Sequence, residues 1–401
     1  MKFSKVAGFA ALANRAIGAT VVRSRDNDIS TAEQDVKQLV ADIEEKALEE
    51  LSKNDESSGC TAETIVYRQE FGDLPKDQRL DYTRAVQCLM NLPANTPSDY
   101  APGAKSRYDD FVVTHINHTL DAHYTGNFMA WHRWFIYTYE TALRDECGYK
   151  GYQPYWDWPK YASAPQDSPI FNGDAYSMGG NGEWDPDLPP SVVGPPEGVP
   201  GVHSTLPRGL GGGFVTTGPF ANMTVNLGPI ALAANNSPPN PQADGLGYNP
   251  RPLKRDVGPA VNERFANWTT VWDLLNKPNI TEYRFLSEGG FDNGEIGPHG
   301  GGHYTISGDP GGDLWVSPGE PVFWLHHSSM DRMWTLWQAN DPENRNLQLD
   351  DGPYGHITWN NDPASRLTTL DDVINIGWAG PETTMREMMS TTEGPLCYFY
   401  K

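Results

Sequence analysis

Residues 128–147 read FMAWHRWFIYTYETALRDEC, an almost continuous run of aromatic and apolar residues that stops before Gly148. This length and composition predict a helix that ends at the glycine. His132 lies near its start, between Trp131 and Trp134. Burying an unpaired imidazole among such side chains would be costly. The stretch therefore predicts a metal-binding histidine inside a helical core.

The histidines of the chain are strongly clustered. Eight of the ten lie in two windows, residues 115–132 and residues 299–327. They are His115, His118, His123, His132, His299, His303, His326 and His327. Neutral imidazole is a common ligand of copper, zinc, iron and nickel, and neither window contains a cysteine. A zinc hydrolase would normally add an acidic ligand, as in His-Glu-x-x-His, and that motif is absent.

The second window has a spacing that suits metal binding on a helix. His299 and His303 are four residues apart, so on a helix they share a face and can share a metal. The helical stretch PVFWLHHSSMDRMWTLW supplies a third ligand from either His326 or His327. Asp331 follows His327 by one helical turn. A carboxylate there is expected to accept a hydrogen bond from the imidazole and to fix its orientation.

The rest of the chain predicts a mainly α-helical protein. Apolar spacing predicts helices over residues 30–52 and 76–90, two helices between residues 109 and 147 with a break near Gly126, and a helix over residues 320–339. Residues 161–295 are rich in Gly, Pro, Asn and Ser and predict mostly loop.

The expected organisation is one domain over residues 60–401, preceded by a separate helical segment over residues 20–59. The polar run KNDESSG follows that first helix. It is compatible with a cleavage site or with a loop. The helix is accordingly either a removable propeptide or an element that packs on the core.

The overall charge limits the classes of partner. The 401 residues carry a formal net charge of −22, with 30 Lys and Arg against 52 Asp and Glu. Nucleic acids and anionic membrane surfaces require clustered positive charge, so neither is an expected partner. No window of eighteen consecutive apolar residues is present, which argues against a membrane span.

Three features indicate a secretory route. Residues 1–19 place Lys2 and Lys5 before an apolar stretch that ends on small residues, the layout of a signal peptide. Four well-separated cysteines predict two disulfides in an oxidising compartment, with three pairings open. Five Asn-x-Ser/Thr sequons predict surface glycosylation of a secreted protein. The cysteines are Cys60, Cys88, Cys147 and Cys397, and the sequons start at Asn117, Asn222, Asn235, Asn267 and Asn279.

The two histidine windows resemble the copper-binding regions of the tyrosinase and catechol oxidase (polyphenol oxidase) family. In the first, His115 is followed after eight residues by His123 and after nine more by His132, and Pro154-Tyr-Trp-Asp-Trp comes later. In the second, the pair His299-x-x-x-His303 is followed after twenty-four residues by His327. The Tyr398-Phe399-Tyr400 ending is similar to the end of the family's catalytic core, which implies a short, fungal-type form without the C-terminal lid domain.

The resemblance implies a binuclear copper site inside a four-helix bundle, wrapped by the long irregular loops. Each copper would be held by three histidines. The implied ligands are His115, His123, His132, His299, His303 and His327. His326 would then lie beside the site at the substrate pocket, and His118 matches no ligand position. Relatives often carry a cysteine where this chain has Asp121, so no thioether to a ligand histidine is expected.

The activity implied is oxidation of o-diphenols to o-quinones with O₂, acting on small phenolic substrates, with some monophenols or o-aminophenols as further candidates. A hemocyanin-like oxygen-binding protein is the alternative. Glu295 is expected to orient a water that acts as base. Gly300 stands where relatives efficient on monophenols often carry Asn, so weak monophenol hydroxylation and open space beside His299 are expected. Tyr304 and Leu314 are expected to form the pocket wall.

Overall fold

The computed structural model describes residues 25–53, 59–195, 201–234, 237–290 and 292–401. The proposed signal peptide and the sequon at Asn235 lie outside these residues. The α-helices within them are α1 (Arg25–Leu51), α2 (Lys76–Leu89), α3 (Arg107–Ala122), α4 (Phe128–Asp145), α5 (Pro259–Phe265), α6 (Trp268–Leu275), α7 (Ile280–Glu288), α8 (Gly297–Ile306), α9 (Phe323–Asn340) and α10 (Pro342–Arg345). No helix of the described residues is long and apolar enough to cross a membrane.

The helices expected from apolar spacing are confirmed, and the break between α3 and α4 falls beside Gly126. Helix α3 begins with a capping box, in which the Ser106 side chain accepts from the Asp109 backbone N–H and the Asp109 side chain accepts from the Ser106 backbone. Helices α4 and α9 pack against each other, and α9 is buried along almost its whole length. A helix that is apolar on every side belongs in a core, so these two form the centre of the bundle.

The strands are short and form separate two-stranded pairs rather than one sheet. They are β1 (Val66–Arg68), β2 (Gly182–Trp184), β3 (Ser191–Val193), β4 (Ser204–Leu206), β5 (Gly212–Val215), β6 (Thr224–Val225), β7 (Arg251–Pro252), β8 (Val373–Ile374), β9 (Thr383–Thr384) and β10 (Tyr398–Tyr400). Strands β3 and β4 pair in antiparallel register opposite the second histidine window, whereas β1 and β10 pair in parallel. The short strand pairs therefore connect loops that lie around a helical core.

The prediction of mostly loop over residues 161–295 is wrong at its C-terminal end, where helices α5, α6 and α7 lie. These helices have seven to nine residues, too few for an apolar period to stand out. Helices α6 and α7 begin at Asn267 and Asn279, whose side-chain oxygens accept hydrogen bonds from backbone N–H groups three residues on. Both of these capping asparagines also belong to sequons.

Two disulfides close the fold, and they select one of the three pairings that the sequence left open. Cys60 bonds to Cys397 and Cys88 bonds to Cys147. The first lies beside the β1–β10 pair, so the two ends of residues 60–401 are joined by both covalent and backbone hydrogen bonds. All four cysteines are used.

Helix α1 packs against α6 and α9. Its inward face consists of Val36, Val40, Ile43 and Leu51, all of them buried. Burying a side chain of this kind stabilises a fold by about 1.5–3 kcal/mol. The helix is therefore an integral part of the packed core.

Candidate metal centre

Helices α3 and α4 bring three histidines together. His115 lies on α3, His123 directly follows α3, and His132 lies in the second turn of α4. The ring centres of His115 and His123 are 5.0 Å apart, those of His123 and His132 are 4.9 Å apart, and those of His115 and His132 are 5.9 Å apart. Together they form a compact, buried trio.

The chain turns sharply after α3, and this turn directs His123 towards the other two rings. His123 is extended, and Tyr124 has a φ of 49°, a left-handed conformation that is unfavourable for a bulky residue. The buried carboxylate of Glu288 accepts from the Tyr124 backbone N–H at 2.9 Å, and the Glu288 carbonyl accepts from the Tyr124 hydroxyl at 3.3 Å. These contacts from α7 hold the strained turn in place.

Each ring of this trio is oriented by a backbone carbonyl. The Nδ1 atoms of His115, His123 and His132 are 2.8–2.9 Å from the carbonyls of Trp315, Thr119 and Phe128. These contacts assign the proton to Nδ1 and leave Nε2 with a free lone pair. The three Nε2 atoms are buried, have no hydrogen-bond partner and lie within 4.8 Å of one another. This arrangement fits a metal ion bound by neutral imidazoles.

Helices α8 and α9 supply a second trio, His299, His303 and His327. The ring centres are separated by 4.8 Å, 5.1 Å and 5.2 Å. The Nε2 atoms of His303 and His327 lie 3.1 Å apart, and Nε2 of His299 has no partner. The two trios face each other, since the rings of His132 and His327 stack at 4.5 Å. The six rings are thus arranged as two neighbouring groups that could hold metal ions, and His326 lies within reach of the second group.

His326 belongs to neither trio, although it lies close to the second. Its Nδ1 accepts a hydrogen bond from the Trp158 indole N–H at 3.1 Å, and its Nε2 is 2.9 Å from the carbonyl of His299. An indole N–H can only donate, so Nδ1 is unprotonated and Nε2 carries the proton. Both nitrogens are occupied. His326 is fully buried and is not among the residues that line the cavity, so its place at the substrate pocket stays a prediction.

The expected hydrogen bond between Asp331 and His327 is wrong. Nδ1 of His327 has no partner. Asp331 instead accepts from Arg133 at 2.6 Å, from Arg68 at 3.3 Å and from the hydroxyls of Tyr398 and Tyr400 at 2.6 Å. Burial favours a higher pKa for this carboxyl, but the two guanidiniums and the hydroxyls outweigh it and lower the pKa. The Asp331 carboxylate thus pairs with the two buried guanidiniums rather than with the neutral imidazole of His327.

The six imidazoles are neutral at physiological pH. Burial lowers the pKa of His123 to about 4, and it lowers the pKa of the other five well below the usual range. Positive charge on neighbouring rings adds to the effect in His132 and His327. Only the neutral form has a lone pair for a metal, so burial prepares these residues as ligands.

A cavity of about 450 Å³ lies directly beside the second trio. His299 and His303 form part of its floor. Gly300, Tyr304 and Leu314 line it, and so do residues that the sequence did not single out, including Tyr124, Val192, Val193, Val202, His203, Ala231, Leu232, Ala233, Ile296, Trp315 and Trp359. Its walls are mainly apolar. Most of the missed residues lie between 161 and 296, where no periodic pattern indicated which side chains face inward.

Asp313 organises one side of this cavity. Its buried carboxylate accepts from the backbone N–H groups of Ile230 at 2.7 Å, Ala231 at 3.0 Å and Trp315 at 3.0 Å. Burial outweighs these hydrogen bonds and raises the pKa of Asp313 to about 6. Since the carbonyl of Trp315 faces Nδ1 of His115, the same loop shapes the cavity wall and orients a histidine of the first trio.

Gly300 and Glu295 both line the cavity, but each has a close neighbour that affects its role. A Cβ at Gly300 would come within 2.7 Å of the Cβ of Ile296, so Ile296 blocks the direction of a side chain here although Gly300 itself lines the cavity. Glu295 lines the cavity at its rim. Its side chain is 49% exposed and pairs with Arg264 at 2.9 Å. His118 is partly exposed, and its Nδ1 lies 3.6 Å from the carboxylate of Asp121.

The helical bundle buries six histidines as two facing trios beside an apolar cavity. This arrangement is typical of enzymes with a binuclear metal centre. The family profile of the common central domain of tyrosinase matches residues 105–340. A tyrosinase-like protein of Emericella nidulans is 42% identical over 78% of this chain and 86% of its own, and tyrosinase P of Aspergillus terreus is 40% identical over 83% of this chain and 91% of its own. The structure of a polyphenol oxidase variant from Thermothelomyces thermophila has a TM-score of 0.87 and 56% identity, and the match covers 92% of this chain and 98% of that one.

The chain therefore belongs to the tyrosinase family. The predicted fold, a helical bundle around a histidine site, is confirmed. Membership identifies the protein as a phenol oxidase, an oxidoreductase, and implies a binuclear copper centre. Both histidine trios fit that centre in number and burial, and the first trio also fits it in tautomer.

Proposed function

We propose that the protein oxidises o-diphenols to o-quinones with O₂, and that His115, His123 and His132 bind one copper while His299, His303 and His327 bind the other. In the overall reaction two diphenols each give up two electrons and two protons, and one O₂ takes them up to form two waters. Bound copper supplies the redox chemistry that couples the two half-reactions.

The observation that carries this proposal is the position of the cavity. It places an apolar space of about 450 Å³ directly against His299 and His303, with Val192 and Val202 exposed at its mouth. A single aromatic ring fits such a space and can lie against an imidazole of the second trio. A hemocyanin-like carrier has to keep phenols away from its metals. The cavity therefore favours turnover over oxygen carriage.

The side chains around the cavity have distinct roles in this proposal. Tyr304, directly after His303, and Leu314 hold the ring of the substrate, and Ile296 fills the space next to Gly300. Glu295 orients a water at the rim that accepts the phenolic proton, with Arg264 fixing its carboxylate. Gly300 offers no amide to assist that water, so monophenols are hydroxylated slowly.

The site of action proposed is outside the cell. The N-terminal segment has the layout of a signal peptide, and both disulfides fit an oxidising compartment. Helix α1 is proposed to remain with the mature protein, because its removal would expose the apolar surfaces of α6 and α9.

The test combines oxygen uptake with metal analysis. Copper-loaded protein should consume one O₂ for every two molecules of 4-methylcatechol and hold two coppers per chain. His132→Ala should lose one copper and turnover, whereas His118→Ala, the matched control in the same histidine window, should keep both. Reversible binding of O₂ without consumption of the catechol would support a carrier instead, and two coppers in His132→Ala would refute the ligand assignment.

A further inference from the structure

The cavity beside the histidines has an unusual charge pattern. Among the described residues that line it, Glu295 is the only carboxylate, and no lysine or arginine is present. Apart from the two proposed ligands His299 and His303, His203 is the only basic side chain among the described residues that line it. The side chains that carry a permanent charge therefore lie at the rim.

The rim carries an ion pair. Nη2 of Arg264 lies 2.9 Å from Oε1 of Glu295, and both side chains are 49% exposed. Arg264 does not line the cavity beside the histidines. It lines a neighbouring cavity of about 440 Å³ together with Lys277, and Glu295 lines both. The ion pair therefore lies between the two cavities.

The pair is electrically neutral only while both partners are present. A unit charge about 7 Å from the charged tail of a substrate changes the interaction free energy enough for about a threefold change in rate or affinity, even at the dielectric constant of water. Exposed ion pairs contribute little to stability, so removing one partner leaves the fold intact. Removal would nevertheless uncover a full charge at the entrance.

We propose that the Arg264–Glu295 pair sets the charge preference of the substrate pocket, so that neutral catechols with apolar substituents are the preferred substrates. The inference rests on the proposed function and specifies its substrate class. The apolar walls formed by Val192, Ala231 and Ile296 receive the substituent. The paired charges at the rim cancel, so neither an ammonium nor a carboxylate on the substrate gains an attractive partner from this pair.

The test compares three catechols and four proteins. The substrates are 4-methylcatechol, which is neutral, dopamine, which is cationic, and 3,4-dihydroxyphenylacetate, which is anionic. The proteins are the copper-loaded wild type, Glu295→Gln, Arg264→Gln and the double variant. The quantity measured is kcat/KM for each charged catechol divided by kcat/KM for the neutral one, which cancels any effect common to all substrates.

Arg264→Gln should raise the ratio for dopamine and lower that for the acid by about threefold, because Glu295 is then unpaired. Glu295→Gln should do the reverse, and the double variant should return to the wild-type ratios. Salt at about 0.5 M should shrink the shifts. Calorimetric binding of benzylamine and benzoate, which are not oxidised, should follow the same order.

Arg386→Gln is the matched control. Arg386 pairs with Asp371 on the surface at 3.0 Å and does not line either cavity, so the substitution changes the net charge equally without touching the rim. Unchanged ratios in both single variants at full copper content, or equal shifts in the Arg386 control, would overturn the inference. Failure of the wild type to oxidise 4-methylcatechol would overturn the proposed function and this inference with it.

Discussion

The Asp331 carboxylate accepts a hydrogen bond of 2.6 Å from the hydroxyl of Tyr400, one residue from the C-terminus. Asp331 lies one turn after His327 on α9, and Tyr400 lies on β10, which pairs with β1. Arg68 of β1 also donates to Asp331. The end of the chain is thereby fastened to the helix that carries a proposed copper ligand.

The first prediction concerns this buried cluster. Asp331→Asn should lower the free energy of unfolding by about 3–5 kcal/mol, because it leaves Arg68 and Arg133 without their shared counterion. Tyr400→Phe should cost at least about 1.5–3 kcal/mol, since its hydroxyl donates to the Asp331 carboxylate and accepts from the Arg68 guanidinium, and both hydrogen bonds are lost. Urea unfolding measures both. Asp371→Asn, which breaks an exposed pair with Arg386, should have little effect. A loss in Asp331→Asn no larger than in this control would contradict the proposed strength of the cluster.

The second prediction separates the two adjacent histidines. His327→Ala should lose one copper per chain by metal analysis. His326→Gln should keep two, because both nitrogens of His326 already bond to Trp158 and His299. A cavity is avoided in this variant because Gln fills much of the imidazole volume. Loss of one copper from a folded His326→Gln protein would show that His326 is a ligand.

Much of the site follows from the sequence, for physical reasons. Ligand histidines on α3, α4, α8 and α9 repeat at spacings set by helix geometry, so they leave a pattern. The partners of Asp331 leave no such pattern in the sequence, because Arg68 and Tyr400 are hundreds of residues apart along the chain. The cavity wall was missed for a similar reason. Val192 and Ala231 lie in irregular segments, and only the hydrogen bonds around them fix which side faces the cavity.

The third prediction is a pH dependence of stability caused by Asp313. Its pKa is raised to about 6 from 3.8, so the folded state binds this proton more tightly than the unfolded state. The resulting penalty is absent below pH 4, grows as the pH rises towards 6 and is complete above it. It amounts to about 3 kcal/mol. Asp313→Asn lacks this penalty. Relative to the wild type, its free energy of unfolding should therefore rise between pH 4 and pH 6.5.

Asp309, which pairs with Arg251, is the nearby acid that also raises the pKa of Asp313. A constant difference between Asp313→Asn and the wild type across this pH range would contradict the assignment.

The fourth prediction is that Asn117 carries a glycan in secreted protein. Asn117 is exposed on α3, whereas His115, two residues earlier, is fully buried. Two residues turn a helix through about 200°, which places the two side chains on opposite faces. Peptide mapping after enzymatic deglycosylation should find Asn117 converted to Asp. Asn222, which is also exposed, is the comparison site. A wholly unmodified Asn117 beside a modified Asn222 would count against the prediction.

The last prediction concerns Gly300, where an amide side chain should help a water accept the proton of a monophenol. Gly300→Asn is expected to raise monophenol hydroxylation relative to diphenol oxidation. The contact with Ile296 opposes this gain, since the new Cβ would lie 2.7 Å from the Cβ of that residue. Combining Gly300→Asn with Ile296→Ala makes room and should give the larger increase. Gly300→Ala adds the steric conflict without the amide and should not raise the ratio.

Tyr304→Val tests another wall of the cavity and should alter KM more than the ratio, because it removes ring contacts shared by both substrates. The measurement is the ratio of tyramine hydroxylation to dopamine oxidation in copper-loaded protein. Equal ratios in Gly300→Asn, Gly300→Ala and the wild type would show that this position does not control the choice between the two reactions.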